Sequence, residues 1–210
     1  TYMPFNMGPS GQPENSIKLL SYNIMSFGNM KKENGQNPIL NYIKNSKADI
    51  VCMQEYAGSE TAKIHLNNKE IRQALKDYPY RHIKQVGKTG AGSQIACYSK
   101  FPILSARMLD YQSNYNGSMV YDIKIGKDTV LLINNHLESN KLTREDKVVY
   151  EDMLKDPKAG KVKSGIRQLV NKLAEASAIR SAQARAIAQE IARSPYPSVI
   201  VCGDFNDSPI

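Results

Sequence analysis

Four short apolar runs in this chain carry polar residues at their ends, and that pattern restricts the fold more than any other feature. IKLLSYNIM (17–25) carries Asn23, and ADIVCMQE (48–55) ends in Glu55. TVLLINNHL (129–137) carries His136, and SVIVCGDFN (198–206) carries Asp204 and Asn206. Near-continuous apolar runs of this length read as buried strands. SQIACYSK (93–100) and the alternating MVYDIKIG (119–126) add two more. Helices lie between them. Asn37-Pro38 offers an N-cap and a first-turn proline, with Ile39, Leu40 and Ile43 on one stripe. Residues 68–77 read as a helix capped by Asn68, with Ile71 and Leu75 inward, stopped at Tyr78-Pro79. Ile166, Leu169, Val170 and Leu173, then Ile179, Ile187 and Ile191, follow helical spacing. Arg167, Lys172, Arg180, Arg185 and Arg193 fall on the other side, and Pro195 and Pro197 stop that helix. Apolar strands on both sides of helices argue an α/β domain.

A chain of 210 residues suits one domain and can bury a core without metal or disulfide staples. Cys52, Cys97 and Cys202 each sit inside an apolar run and read as buried free thiols. No apolar stretch of about 18 residues is present, so nothing here spans a membrane as a helix and the chain as given is expected to be soluble. Residues 1–16 are rich in Pro, Gly, Asn and Ser and read as an extended lead-in to a domain over 17–210. The polar, Lys-rich stretch 139–165 reads as a surface insertion with a short helix around 143–155. Net charge is +8, and residues 141–193 hold 12 Lys/Arg against 7 Asp/Glu. Such an excess is compatible with phosphate-bearing partners.

In α/β folds, ligands gather outside the C-terminal ends of strands. Asn23, Glu55, His136, Asp204 and Asn206 are therefore expected to converge. Their types suit phosphoester hydrolysis. Glu55 is a hard oxygen ligand of the kind Mg²⁺ prefers. His136 can donate to a phosphoryl oxygen as charge develops. Asp204 can orient or deprotonate an attacking water. Asn23 and Asn206 supply neutral donors and acceptors. Each also has a plainer reading: Glu55 as a solvated turn residue, His136 as a locally bonded core histidine, and Gly203-Asp204, Asn206 and Asn23 as turn or cap formers. Other chemistries lack their residues: there is no Walker loop, HExxH or CxxC, and neither Ser26 nor Ser139 sits in a nucleophile elbow. His65 and His82 read as surface residues, and Lys155, Lys158, Lys161 and Lys163 as a basic cluster on a solvated loop or, alternatively, a contact for phosphate or an anionic surface.

KLLSYNI (18–24), ADIVCMQE (48–55), GSQIACYSKFPI (92–103), NNHLES (134–139) and IVCGDFNDSP (200–209) together resemble the endonuclease/exonuclease/phosphatase superfamily, in its bacterial branch. RSAQARAIAQEI (180–191) is similar to the helix that precedes GDFN in that family. The resemblance implies a DNase-I-like fold, a two-sheet β-sandwich flanked by helices in four layers. It implies phosphoester hydrolysis with Mg²⁺ or Mn²⁺, by water attack on phosphorus. By motif, Glu55 resembles the metal ligand and Asn23 the first-strand Asn beside it. His136 resembles the phosphate-contacting His, and Asp204 and Asn206 the pair that positions nucleophile and phosphate. Nucleic acids and phospholipid head groups are the substrates that the family implies. One feature departs from the pattern: the sequence has no Asp-His dipeptide. The resemblance then implies a domain incomplete at its C-terminus, active in the intact protein and inactive as this chain alone. The alternative expectation is a non-catalytic binding module that retains the fold. TYMPFNMGPSGQPENS and ESNKLTREDKVVYEDMLK also resemble the juxtamembrane lead-in and insertion of membrane-anchored bacterial members, which implies an anchored parent.

Overall fold

The computed structural model describes residues 16–29, 36–58, 66–87, 94–111, 113, 115–146, 148 and 162–207. Within them β1 (Leu19–Asn23), β2 (Ile50–Tyr56), β3 (Tyr80–Gln85) and β4 (Gln94–Ser99) form one sheet, in the order β1-β2-β4-β3. β5 (Ile103–Met108), β6 (Gly117–Ile125), β7 (Asp128–His136) and β8 (Ser198–Asp204) form a second, in sequence order. Each sheet has one parallel pair, β1 with β2 and β7 with β8, and is otherwise antiparallel. A parallel pair needs a crossover. Helix α1 (Pro38–Ser46) makes the first and α3 (Val162–Ala192) the second, while α2 (Asn68–Ala74) lies between β2 and β3.

Local chemistry fixes these boundaries. The Asn37 carboxamide oxygen accepts the Leu40 amide at 3.0 Å, Pro38 opens α1, and Lys47 ends it at φ 53°. The cap of α2 lies one residue before the expected Asn68, because Asn67 and Glu70 form a reciprocal capping box at 2.8 and 3.1 Å. Thr143 and Asp146 make the same reciprocal arrangement at 2.7 and 3.2 Å, and residues 144–146 are helical, at the start of the short helix expected there. Strands β3 and β5 were not evident in the sequence. Both are edge strands of mostly exposed residues: YRHIKQ is rich in polar groups, and ILSARM carries Ser105 and Arg107. Edge strands tolerate that composition, since charges there deter pairing with other chains.

Alternation along β2 shows how the layers divide. Ile50 and Cys52 face the second sheet, where they pack with Ile95, Cys97, Tyr121 and Leu132. Val51 and Met53 face the helices and pack with Ile43, Ile71 and Tyr98. On the far side, Val120, Leu131 and Ile133 meet Ile187 of α3. The result is helices, sheet, sheet and helix in four layers. All three cysteines are buried and free, as expected. Arg180 is not on the solvent side: it is 8% exposed and faces inward among hydrogen-bond partners. His82 is half-buried rather than on the surface. Its ring meets Tyr121 edge-on at 5.7 Å, and its Nδ1 is buried without a hydrogen-bond partner. Among the described residues no helix is long and apolar enough to cross a membrane. Residues 1–15 and the side chains of the Lys155–Lys163 cluster lie outside the described residues.

Candidate active site

The two parallel pairs lie against each other across the sandwich, β1 beside β8, so their C-terminal ends meet. In register, Asn23 sits opposite Gln54 and His136 opposite Asp204. This placement brings the sequence-predicted residues into one site. Asn23 Nδ2 donates to Glu55 Oε1 at 2.9 Å and to Asp204 Oδ2 at 2.8 Å. Its Oδ1 accepts the Met25 amide at 3.1 Å, which fixes the carboxamide with its nitrogen toward the two carboxylates. His136 Nε2 lies 3.7 Å from Glu55 Oε1. Asn206 donates its amide to Asp204 Oδ1 at 2.9 Å and its Nδ2 to the Leu137 carbonyl at 2.8 Å. It therefore ties the loop after β8 to the loop after β7.

The backbone is strained around this site. Met25, Ser26, Phe27, Glu55 and Asn206 all take left-handed φ between 43° and 59°. Such residues cost about 1–3 kcal/mol each and persist where surrounding structure imposes them. At Glu55 the consequence is visible. The ladder with β4 shifts register between Met53 and Tyr56, and the Glu55 side chain is 37% exposed while Gln54 is 1% and Tyr56 3% exposed. The turn lifts this carboxylate out of an otherwise buried strand.

Burial pushes the His136 imidazole below its usual pKa, against the pull of Asp204, Glu55 and Glu138, which raise it. A depressed histidine takes up its proton in the unfolded state first, so stability falls as pH drops below about 6.5 and toward the folded value. In the metal-free protein, imidazole NMR is expected to show His136 titrating with a midpoint below 6.5. His136→Gln is expected to flatten the stability profile between pH 7 and 5.

Several supporting residues were not singled out from the sequence. Gln54 Nε2 donates to Asn134 Oδ1 at 2.6 Å, joining the sheets directly beneath Glu55. The signal was present as polar residues embedded in apolar runs, Gln54 in IVCMQE and Asn134-Asn135 in LLINNH. Gln54→Ala leaves the Asn134 oxygen buried without this donor. It is expected to lower stability by about 1–3 kcal/mol in a denaturant melt. Behind His136, Glu138 is 2% exposed and accepts Ser113 Oγ at 2.8 Å and Lys141 Nζ at 2.6 Å. Helix α3 holds this loop from outside. Gln183 Oε1 accepts the Glu138 amide at 2.9 Å, and Arg180 Nη1 donates to the Glu138 carbonyl at 3.0 Å and to Asn140 Oδ1 at 2.7 Å. Arg180 Nη2 also lies 3.5 Å from Asp207.

The donor set fits a hard divalent cation. Two carboxylates share one Asn23 amide, and among the described residues no lysine or arginine pairs with Glu55 or Asp204. Uncompensated carboxylates this close call for positive charge. Among the described residues no group of three or more His, Cys, Asp and Glu side chains could enclose an ion by itself.

A four-layer α/β sandwich with this amide-bridged pair of carboxylates at the strand ends has the DNase-I-like fold. The chain belongs to the Endonuclease/Exonuclease/phosphatase family, whose model matches residues 20–210. Solved structures share the fold. Humanised TDP2 from D. rerio is 16% identical, with 92% of this chain and 63% of that chain covered, at a TM-score of 0.54. SmcL is 15% identical over 93% of this chain and 65% of that chain, at 0.53. A hairpin-deletion mutant of beta toxin from Staphylococcus aureus is 16% identical over 91% of this chain and 68% of that chain, at 0.54. The chain thus spans 63% of the length of this TDP2. No curated protein matches the sequence.

Proposed function

We propose that this chain is the catalytic domain, in whole or in part, of a divalent-metal-dependent phosphoesterase that directs water onto phosphorus. The observation that carries the reading is the Asn23 amide. It holds Glu55 from the first sheet and Asp204 from the second within one hydrogen-bond shell. A fold needs no such group at its strand ends. Glu55 and its neighbouring oxygens are the residues to hold Mg²⁺ or Mn²⁺, which would neutralise phosphoryl charge and stabilise the leaving oxygen. Asp204 is oriented by Asn23 and by the Asn206 amide, so one oxygen edge is kept in place to accept a proton from an attacking water. His136, held neutral by burial, can donate one N–H to a non-bridging phosphoryl oxygen.

Charge and family support a substrate class. A net charge of +8 favours a polyanion, a nucleic acid or an anionic phospholipid head group. One D. rerio TDP2 structure was solved with a single-strand DNA product, at 14% identity and a TM-score of 0.55. A steep loss of binding to single-stranded DNA between low and moderate salt would select the nucleic acid.

The test is hydrolysis of bis(p-nitrophenyl) phosphate by the intact protein. Release of p-nitrophenol is expected with Mg²⁺, to be abolished by EDTA and restored by added metal. Turnover indifferent to EDTA would overturn the reading. The 210-residue chain by itself is expected to be inactive, since it has no Asp-His dipeptide. The same absence favours a second reading, a binding module that retains the fold. Metal binding at Glu55 without turnover in the intact protein would select that reading.

A further inference from the structure

A buried cation stands behind the site. Arg180, on α3, is 8% exposed, and its partners belong to the segments that follow β7 and β8. Nη1 donates to the Glu138 carbonyl at 3.0 Å and to Asn140 Oδ1 at 2.7 Å, both after β7. Nη2 lies 3.5 Å from Asp207 Oδ1, after β8. Three residues along the same helix face, Gln183 Oε1 accepts the Glu138 amide at 2.9 Å. Glu138 is therefore held at both ends of its backbone, its N–H by Gln183 and its carbonyl by Arg180.

Stability alone does not account for this arginine. Among the described residues Asp207 is the one carboxylate paired with it, and that side chain is 73% exposed. An ion pair so open to water contributes little. The two closer partners are neutral. Nε is buried with no hydrogen-bond partner among the described residues, and so is Gln183 Nε2. Such partners do not offset the cost of burying a cation, and a packed apolar side chain would stabilise the core as well or better. What Arg180 adds is geometry. The Leu137 amide donates to the Asp204 carbonyl at 2.9 Å, at the end of the β7–β8 ladder. Beyond that bond Asn206 reaches the Leu137 carbonyl from the second segment, and Arg180 reaches both segments from the helix.

We infer that Arg180 is a positioning residue for hydrolysis: it sets the segment that begins at His136 against the segment that begins at Asp204. The inference rests on the phosphoesterase reading, in which His136 meets a phosphoryl oxygen and Asp204 the attacking water. Arg180 touches neither reactant. It acts through Glu138, two residues after His136, and through Asp207, which follows Asn206. The fork matters as well as the charge: two nitrogens of one rigid plane reach both segments at once, whereas a lysine ammonium presents a single point. Glu55 lies outside this arrangement, on β2 of the first sheet and bonded to Asn23. Metal binding and catalytic geometry therefore separate.

The experiment is Arg180→Lys in the intact protein. For bis(p-nitrophenyl) phosphate, kcat is expected to fall about 10²-fold with KM within about twofold, because a small misplacement of reacting groups costs that much. Isothermal titration with Mg²⁺ is expected to match the parent. Asn140→Ala removes one acceptor and keeps the cation, so it is expected to lower kcat less. Adding Arg180→Lys to Asn140→Ala is expected to cost less than in the parent, because both disturb one contact. A parental kcat in Arg180→Lys, a rise in KM alone, or losses that multiply independently overturns the inference. A readout without turnover separates it from the reading beneath it. In ¹⁵N and ¹³C spectra of Arg180→Lys, the Asn206 amide, which bonds to Asp204, and the His136 ring are expected to shift together, with the Met25 amide beside Asn23 unmoved. Signals that stay still overturn the inference whether or not the parent hydrolyses. A parent without metal-dependent turnover overturns the phosphoesterase reading and the catalytic role with it, and shifted signals then support the coupling of the two segments by itself.

Discussion

Glu55→Ala in the intact protein is expected to lower kcat/KM for a phosphodiester by about 10³-fold or more, with little change in melting temperature. A metal ion supplies several kcal/mol of charge stabilisation to phosphoryl transfer, and each 1.36 kcal/mol is tenfold in rate. The Glu55 carboxylate is 37% exposed, lifted out of β2 by its left-handed φ of 50°. Removing the carboxylate leaves one proton of the Asn23 amide without its acceptor but opens no hole in the core. Glu55→Gln keeps the shape and an acceptor oxygen while removing the charge, and is expected to be nearly as inactive. Isothermal titration with Mg²⁺ should show metal binding lost in both. Undiminished turnover in either variant would remove Glu55 from the chemistry.

The largest stability loss is expected at Gly203. Its φ is +134°, a conformation that residues with a side chain rarely adopt. A Cβ built there would lie 2.1 Å from the Asn135 carbonyl oxygen, on the neighbouring strand. Gly203 and Asn135 are register partners in the parallel β7–β8 pair, one position before His136 and Asp204. The obstacle is backbone, so no side-chain rotation relieves it. Gly203→Ala is expected to cost about 3 kcal/mol or more, from strain and a separated ladder together. For a protein of this size that is a fall of about 10 °C in melting temperature. Because the ladder ends on the site, the folded fraction is also expected to lose activity. A melt within about 2 °C of the parent would show that β8 shifts freely to accept a methyl group.

Much of this arrangement was legible in the sequence because its strongest signals are local. Asn37-Pro38 caps α1 as read, and the buried strands announced themselves through apolar runs. Convergence of Asn23, Glu55, His136, Asp204 and Asn206 followed from one topological rule about strand ends. What stayed hidden depends on partners distant in sequence. Arg180 looks like any arginine on a helix, and its burial makes sense only once Glu138 and Asn140 are in place to accept from it. Gln54 and Asn134 are 80 residues apart, and their pairing needs the two sheets already stacked. Edge strands β3 and β5 escaped notice because most of their residues are exposed, which leaves no buried apolar run to read.

The Asn23–Asp204 hydrogen bond spans 181 residues of chain. Contacts so distant form late in folding, because loop closure must be met before they contribute. Either sheet can assemble its parallel pair through its own crossover helix, and neither then possesses a site. In refolding, the far-ultraviolet signal of the sheets is therefore expected to recover before catalytic competence. On partial opening the order reverses: separation of the sheets disperses the site while both ladders survive. The candidate site is thus a seam, the part of the molecule most sensitive to how firmly its two halves are joined.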